Sequence, residues 1–196
     1  MNASLKFYFN KQYFDAPNTV YYPSEDSYFL AENISIKKNA KAIDIGCGTG
    51  IQSLNLLFKG ASKVIAIDIN KKALEATKKN CEQAGFGKKT KCVKSNLFEN
   101  CKEKADIIVF NPPYVVAEEL KFKELDGGKK GREILDKFLE QFPEHLEKNG
   151  KCFFIQTNIN GYAETKNKLK KLGVKAEIIA KRSDFFEELA VFECKN

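Results

Sequence analysis

The stretch AIDIGCGTG, residues 42–50, decides how the rest of the chain is read. Ala42 to Ile45 is a short run of strand-like residues of the kind that suits a strand buried on both faces. Gly46, Gly48 and Gly50 follow immediately, and IQSLNLLFKG then takes up helical spacing near Ile51. Glycines let the backbone turn tightly with no side chain between it and a ligand, while the first turn of the next helix offers unpaired N–H groups. Strand, glycine turn and helix in that order predict a ligand loop at the carboxyl end of a parallel strand.

Working outward, strand-like and helix-like runs alternate from about residue 40. KAIDIG, KVIAIDI, KTKCVKSN and ADIIVFN read as strands, with helices in IQSLNLLFKG and KKALEATKKNCEQAG. In the second helix Ala73, Leu74, Thr77 and Cys81 share a side, and Gly85 is a natural stop. Further on, GREILDKFLEQFPEHL is a helix through Ile134, Leu135, Phe138, Leu139 and Phe142. GKCFFIQT is a buried strand, GYAETKNKLKKLG a helix, and VKAEIIAKR with EELAVFEC a strand pair. The fold class predicted is α/β: a Rossmann-like, seven-stranded, mostly parallel sheet with helices on both faces and a C-terminal antiparallel hairpin. No Pro/Gly/Ser-rich linker divides the 196 residues, so one domain is expected over 1–196. Within it, 1–38 form an N-terminal extension with a helix covering the cofactor site, and 39–196 form the core.

Composition narrows the function classes. With 43% hydrophobic and 30% charged residues the chain has ordinary globular usage, and no apolar run approaches the roughly 20 residues of a membrane-spanning helix. The first residues lack a leader pattern, so a cytoplasmic location is expected. Six scattered cysteines without a CxxC pair suggest neither a zinc site nor a disulfide framework. A net charge of +7 favours an acidic partner or a nucleic-acid-rich setting without choosing between them. RNA-module signatures, basic-zipper heptads and fixed-period repeats are absent.

The loop's chemistry is more specific. Its spacing is G-x-G-x-G, with Ile51 where a dinucleotide fingerprint wants its third glycine, and Asp44 precedes it. A carboxylate there would repel a pyrophosphate, which argues against NAD, but it suits a cationic or amino-bearing ligand. Asp68, ending the second strand, is placed to accept from both hydroxyls of a ribose. Either aspartate alone could cap a helix. Together with three glycines they describe a site for adenosine carrying a cationic, amino-acid-like tail, which is S-adenosyl-L-methionine (SAM).

The fourth strand runs into Asn111, Pro112, Pro113 and Tyr114, where two prolines end pairing abruptly. Strand ends are where ligands bind in open α/β sheets. Transfer of a methyl group to a planar, delocalised nitrogen needs its lone pair turned toward the donor. Asn111 can arrange this by accepting one N–H of an –NH2 group while the Pro112 carbonyl accepts the other, and both acceptors favour positive charge developing on nitrogen. Tyr114 offers a flat face for a planar amide or base. No general base is required, and His145, the sole histidine, is expected at the surface of its helix.

With IDIGCGTG and NPPY in order, the chain resembles class I SAM-dependent methyltransferases that modify exocyclic or amide nitrogens. YYPSEDSYFL before the sheet and LDGGKKGREILDKFL after NPPYVV look like the archaeal and eukaryotic branch of the HemK-like release-factor methyltransferases. The resemblance implies N5 methylation of the glutamine in the Gly-Gly-Gln loop of a class 1 release factor, with SAM converted to S-adenosyl-L-homocysteine (SAH). Adenine-N6 methylation of RNA or DNA, and lysine methylation, are the other chemistries such a pocket hosts. By the same resemblance Pro23, Asp26 and Ser27 would lie against the methionine part of SAM. Asp44 and Gly46 would sit under its centre, with Cys47, Gly48 and Gly50 in the same loop; Asp68 and Ile69 would meet the ribose side, Asn96 and Leu97 the adenine, and Asn111 to Tyr114 the substrate, Asn111 also bordering the cofactor. The family usually has aspartate where this chain has Asn96. GGKKGRE would be part of a basic lid. A small zinc-binding activator protein is the implied partner, pairing along an edge strand for which KTKCVKSNLF is the candidate.

Overall fold

The computed structural model describes residues 5–114, 128, 131–183 and 187–195. The chain opens with β1 (Leu5–Phe9) and β2 (Gln12–Ala16), an antiparallel hairpin. Its turn residues Asn10 and Lys11 have φ of 45° and 64°, the left-handed conformation that gives a hairpin the twist of its strands. The sequence reading foresaw only an extension and a helix here. The hairpin lays Phe7 and Phe14 into the core with their rings 5.7 Å apart.

α1 (Glu25–Asn33) is followed by β3 (Lys41–Ile45), α2 (Ile51–Phe58), β4 (Lys63–Asp68), α3 (Lys71–Gln83), β5 (Thr90–Lys94) and β6 (Ala105–Phe110). Then come α4 (Glu133–His145), β7 (Leu146–Thr157), α5 (Tyr162–Lys171), β8 (Lys175–Ser183) and β9 (Glu188–Lys195). The seven-stranded sheet has the order β5-β4-β3-β6-β7-β9-β8. Its first five strands run parallel, and β9 joins β7 and β8 antiparallel. These are the seven strands and the closing hairpin predicted from the sequence.

Strand alternation divides the core into two layers. Ile43, Ile45, Ile108 and Phe110 pack with Leu135, Phe138 and Phe142 of α4 and Leu169 of α5. Ala42, Val64, Ile107 and Val109 pack on the other face with Leu30 of α1, Leu54 and Leu57 of α2, and the hairpin phenylalanines. Asp44 shares that second face, so the sheet points its carboxyl at α2. α2 is buried all round from Ile51 to Leu57 although it carries Gln52, Ser53 and Asn55. Asn55 Nδ2 donates to the Ala31 carbonyl of α1 at 2.9 Å, and Gln52 and Ser53 have bonding tasks described below. Among the described residues, no helix is long and apolar enough to cross a membrane.

Candidate functional site

β3, β4 and β6 end together at one cleft of about 610 Å³, within the usual range for small-molecule sites. Of the residues singled out in the sequence, Pro23, Ser27, Gly46, Cys47, Gly48, Asp68, Ile69, Asn96, Leu97, Asn111 and Pro113 line it. Asp26, Asp44, Gly50, Pro112 and Tyr114 are set back from that lining. The structure therefore brings the whole set together but divides it into a surface and its supports.

Asp26 is the busiest support. It is 4% exposed, and its Oδ1 accepts from the Tyr21 hydroxyl at 3.1 Å, the Ser24 hydroxyl at 2.7 Å and the Ser27 N–H at 2.6 Å. Its Oδ2 accepts from Asn111 Nδ2 and from the Tyr114 hydroxyl, each at 3.0 Å. Burial and the neighbouring Asp26 push the Tyr21 phenol up to about 12, and the same causes raise Tyr114, so both hydroxyls remain donors. The consequence falls on Asn111. A carboxylate can only accept, so the –NH2 end of the amide must face Asp26, which leaves the carbonyl Oδ1 buried and without a partner among the described residues.

The glycine loop is braced from α3. The Thr77 hydroxyl donates to the Gly48 carbonyl at 3.0 Å, and Asn80 Nδ2 donates to the Thr49 carbonyl at 2.8 Å. Gly46 has φ of 61°, and a Cβ there would stand 3.3 Å from the Phe110 ring, so the loop lies against β6 as only glycine can. Asp44 is fully enclosed. Ser53 donates to its Oδ2 at 2.6 Å, while its Oδ1 has no partner among the described residues. Burial pushes this carboxyl up to about 7; the Ser53 hydroxyl and backbone oppose the rise, and the charge of Asp68 adds to it. Asp68 accepts from the N–H of Gly48 at 3.0 Å and of Asn70 at 2.8 Å, which aims it across the loop. The Cys47 thiol is raised by burial and then by Asp44 and Asp68, so it lines the cleft as a neutral group.

At the far end Asn96 donates its –NH2 to Glu99 at 2.8 Å, fixing which end of the amide is the acceptor. Leu97 beside it holds φ of 48° and is buried.

Sequence reasoning missed several members of the site. Gln52 lines the cleft, and Tyr21 lines it while holding Asp26. The signal was present in IQSLNLLF, where polar residues interrupt a helix otherwise apolar on every side. His145 requires a correction: its ring is half-buried and stacks on Phe98, with centroids 4.1 Å apart and planes 9° off parallel, and its Nδ1 lies 3.1 Å from the Glu103 carbonyl. It fastens the end of α4 and is no surface residue. Lys129 and Lys130 of the expected lid lie outside the described residues.

A Rossmann-like sheet with a glycine loop after its first strand and Asn-Pro-Pro-Tyr after β6 defines a class I methyltransferase. The Methyltransferase small domain family matches residues 24–186, and the chain belongs to it. A Methanocaldococcus jannaschii protein, named provisionally a protein N5-glutamine methyltransferase, is 42% identical over 179 residues, covering 88% of this chain and 89% of that one. Mouse (Mus musculus) Methyltransferase HEMK2 is 27% identical over 88% of this chain and 87% of its own. Among solved structures, the E. cuniculi Mtq2–Trm112 complex, described as responsible for methylating the translation termination factor eRF1, matches with a TM-score of 0.71. The match is 24% identical and covers 91% of this chain and 99% of that one. That likeness concerns the fold.

Proposed function

We propose that this chain methylates the side-chain amide nitrogen (N5) of a glutamine, with SAM as methyl donor and SAH as product. One observation carries the reading: Asn111 has its –NH2 committed to Asp26 and its carbonyl oxygen buried and unpaired. A planar amide –NH2 is a donor of the right kind for that oxygen, and the Pro112 carbonyl is the acceptor for its second N–H. Two acceptors in the amide plane leave the nitrogen's out-of-plane electrons for the methyl, and both stabilise the charge that develops there. The two prolines restrict the backbone, so this geometry is set before substrate arrives.

The residues present fit SAM. Gly46 leaves the loop backbone bare, and Asp44 has an oxygen that lacks a donor among the described residues, in a place where burial and the charge of Asp68 oppose its ionisation. When bound, SAM supplies an electrophilic methyl on a sulfonium. Asp44 and Gly46 would lie under its centre, Asp68 would take the ribose hydroxyls, Pro23 and Ser27 the methionine end, and Asn96 with Leu97 the adenine. Because Glu99 holds the Asn96 –NH2, its carbonyl is left to accept from the adenine amino group, as the family's usual aspartate would. Asp26 acts one step back, by orienting Asn111 and Tyr114.

The names of the relatives support a specific substrate, the glutamine of the Gly-Gly-Gln loop in a class 1 release factor. Among the described residues β5 pairs only with β4 and leaves a strand edge to which a small zinc-binding activator protein would add, in the cytoplasm. The test is transfer from tritiated SAM to a purified class 1 release factor, with and without the activator, read by mass spectrometry at the Gly-Gly-Gln peptide. Label on that glutamine, lost when it is changed to alanine, is the expected result; label appearing instead on RNA or DNA overturns it.

A further inference from the structure

Gln52 occupies the first turn of α2, lines the cleft and is 4% exposed. Its Nε2 donates to the Ser27 carbonyl of α1 at 2.8 Å. That bond fixes the amide: turned over, it would set two carbonyl oxygens against each other and leave the –NH2 unmatched. The Oε1 is consequently locked as a pure acceptor, buried and without a partner among the described residues. A buried acceptor left unpaired is costly, and folded proteins rarely keep one unless something else supplies the donor.

We infer that Gln52 is a cofactor-binding residue whose Oε1 accepts a hydrogen bond from the α-ammonium of an amino-acid-bearing ligand in the cleft. The inference rests on the SAM reading above and names a group within it. Three buried oxygens at this site lack a partner among the described residues: Gln52 Oε1 and Asn111 Oδ1, which can only accept, and Asp44 Oδ1, which accepts once its carboxyl is ionised. With Asn111 Oδ1 taken by the substrate amide in the reading above, Gln52 Oε1 and an ionised Asp44 reject a carboxylate and favour a cation rich in N–H. A ribose has its acceptor elsewhere, in Asp68 at the end of β4, whereas Gln52 is tied to α1, beside the Pro23 to Ser27 segment. An ammonium is the group of the ligand that offers several donors at once. The Gln52–Ser27 bond thus has two functions: it joins α2 to α1, and it presents the acceptor.

The test is calorimetric binding of three probes to the full chain: SAH, its analogue lacking the α-amino group, and 5′-methylthioadenosine, which lacks the whole tail. Wild type is expected to bind the deamino analogue roughly tenfold more weakly than SAH. Gln52→Met, similar in length but without the acceptor, is expected to lose roughly tenfold for SAH and nothing for 5′-methylthioadenosine, and to make no further distinction between SAH and its deamino analogue. Equal binding of SAH and the deamino analogue by wild type overturns the inference without recourse to any variant, so a poorly folding Gln52→Met does not protect it. Unchanged SAH affinity in Gln52→Met overturns it as well. Failure of wild type to bind any of the three would instead overturn the SAM reading on which it stands.

Discussion

At Asp44, stability and ligand binding pull on one proton. Its folded-state value of about 7 lies above the ordinary 3.8, so the folded protein holds a proton that the unfolded chain has already released. Folding is therefore penalised as pH rises from about 4, and the penalty levels off above about 7, amounting to a few kcal/mol at most. A cationic ligand reverses the balance by favouring the ionised form. SAM affinity is expected to rise with pH up to about 7, with proton uptake by buffer on binding, and to be flat above it; Asp44→Asn should abolish both the slope and the proton release. Calorimetry in buffers of different ionisation enthalpy reads both. In the proposed function Asn111 belongs to the chemical step and Asp68 to binding. Asn111→Ala should lower kcat by about 100-fold or more with SAM affinity nearly kept, while Asp68→Ala should weaken SAM binding with kcat at saturation much less affected. Single-turnover rates beside equilibrium binding separate the two. At this scale the glycine loop and Asn-Pro-Pro-Tyr were legible because special backbone geometry leaves a mark in the residue types themselves. Asp26 was singled out through the resemblance as a neighbour of the methionine part of SAM, but its task of holding Asn111 could not be read, since that exists only when Asn111, 85 residues away, folds against it.

Between elements, the ties that shape the site run through buried amides. Asn80 of α3 is wholly buried and does not line the cleft, yet it joins two distant pieces. Its Nδ2 donates to the carbonyls of Asp15 in β2 and Thr49 in the glycine loop, and its Oδ1 accepts from the Asp15 N–H. Asn80→Ala would leave these backbone groups unmatched, at a cost of about 3 kcal/mol or more. Urea unfolding should show that loss, and SAM affinity should fall with it although no ligand contact is removed. A second tie closes the base of the segment after β6. Asn160 donates to the Tyr114 carbonyl at 2.9 Å, and Arg132, 3% exposed, donates to the Asn160 carbonyl and to the Thr165 hydroxyl. Gly131 sits between them with φ of 64°, where a Cβ would fall within 2.3 Å of the Tyr114 carbonyl. Gly131→Ala should push Tyr114 and its neighbours off position, reducing kcat by at least tenfold while 5′-methylthioadenosine still binds, as turnover and calorimetry would reveal. The parallel strands and their helices could be read from alternating apolar runs. The N-terminal hairpin could not, because Asn10-Lys11 lacks the glycine that usually marks such a turn, and five-residue strands give little periodicity.

At the scale of the whole molecule, the seven-stranded sheet ends, among the described residues, in the edge strands β5 and β8, and the two are not equivalent. Both edges expose charged residues, Lys175, Glu177 and Lys181 on β8 and Lys91 and Lys94 on β5, but β8 also carries a register shift between Ile178 and Ala180, an irregularity that discourages addition of another strand. β5 is a regular parallel partner of β4 from Thr90 to Lys94, and it leads through Ser95 directly to Asn96 and Leu97 at the cleft. A protein that added a strand to β5 would therefore brace the adenine end of the site as well as cover an edge, linking partner binding to cofactor affinity. Net charge pointed toward acidic partners but could not have located this surface, since strand order is a property of the folded sheet. Hydrogen exchange on the chain with and without the proposed activator decides between the edges. Slowed exchange confined to outward-facing amides of 90–94, with tighter SAM binding in the complex, is the expected result. Protection at 175–183 instead would move the interface to the opposite edge and remove any direct route from partner to cofactor.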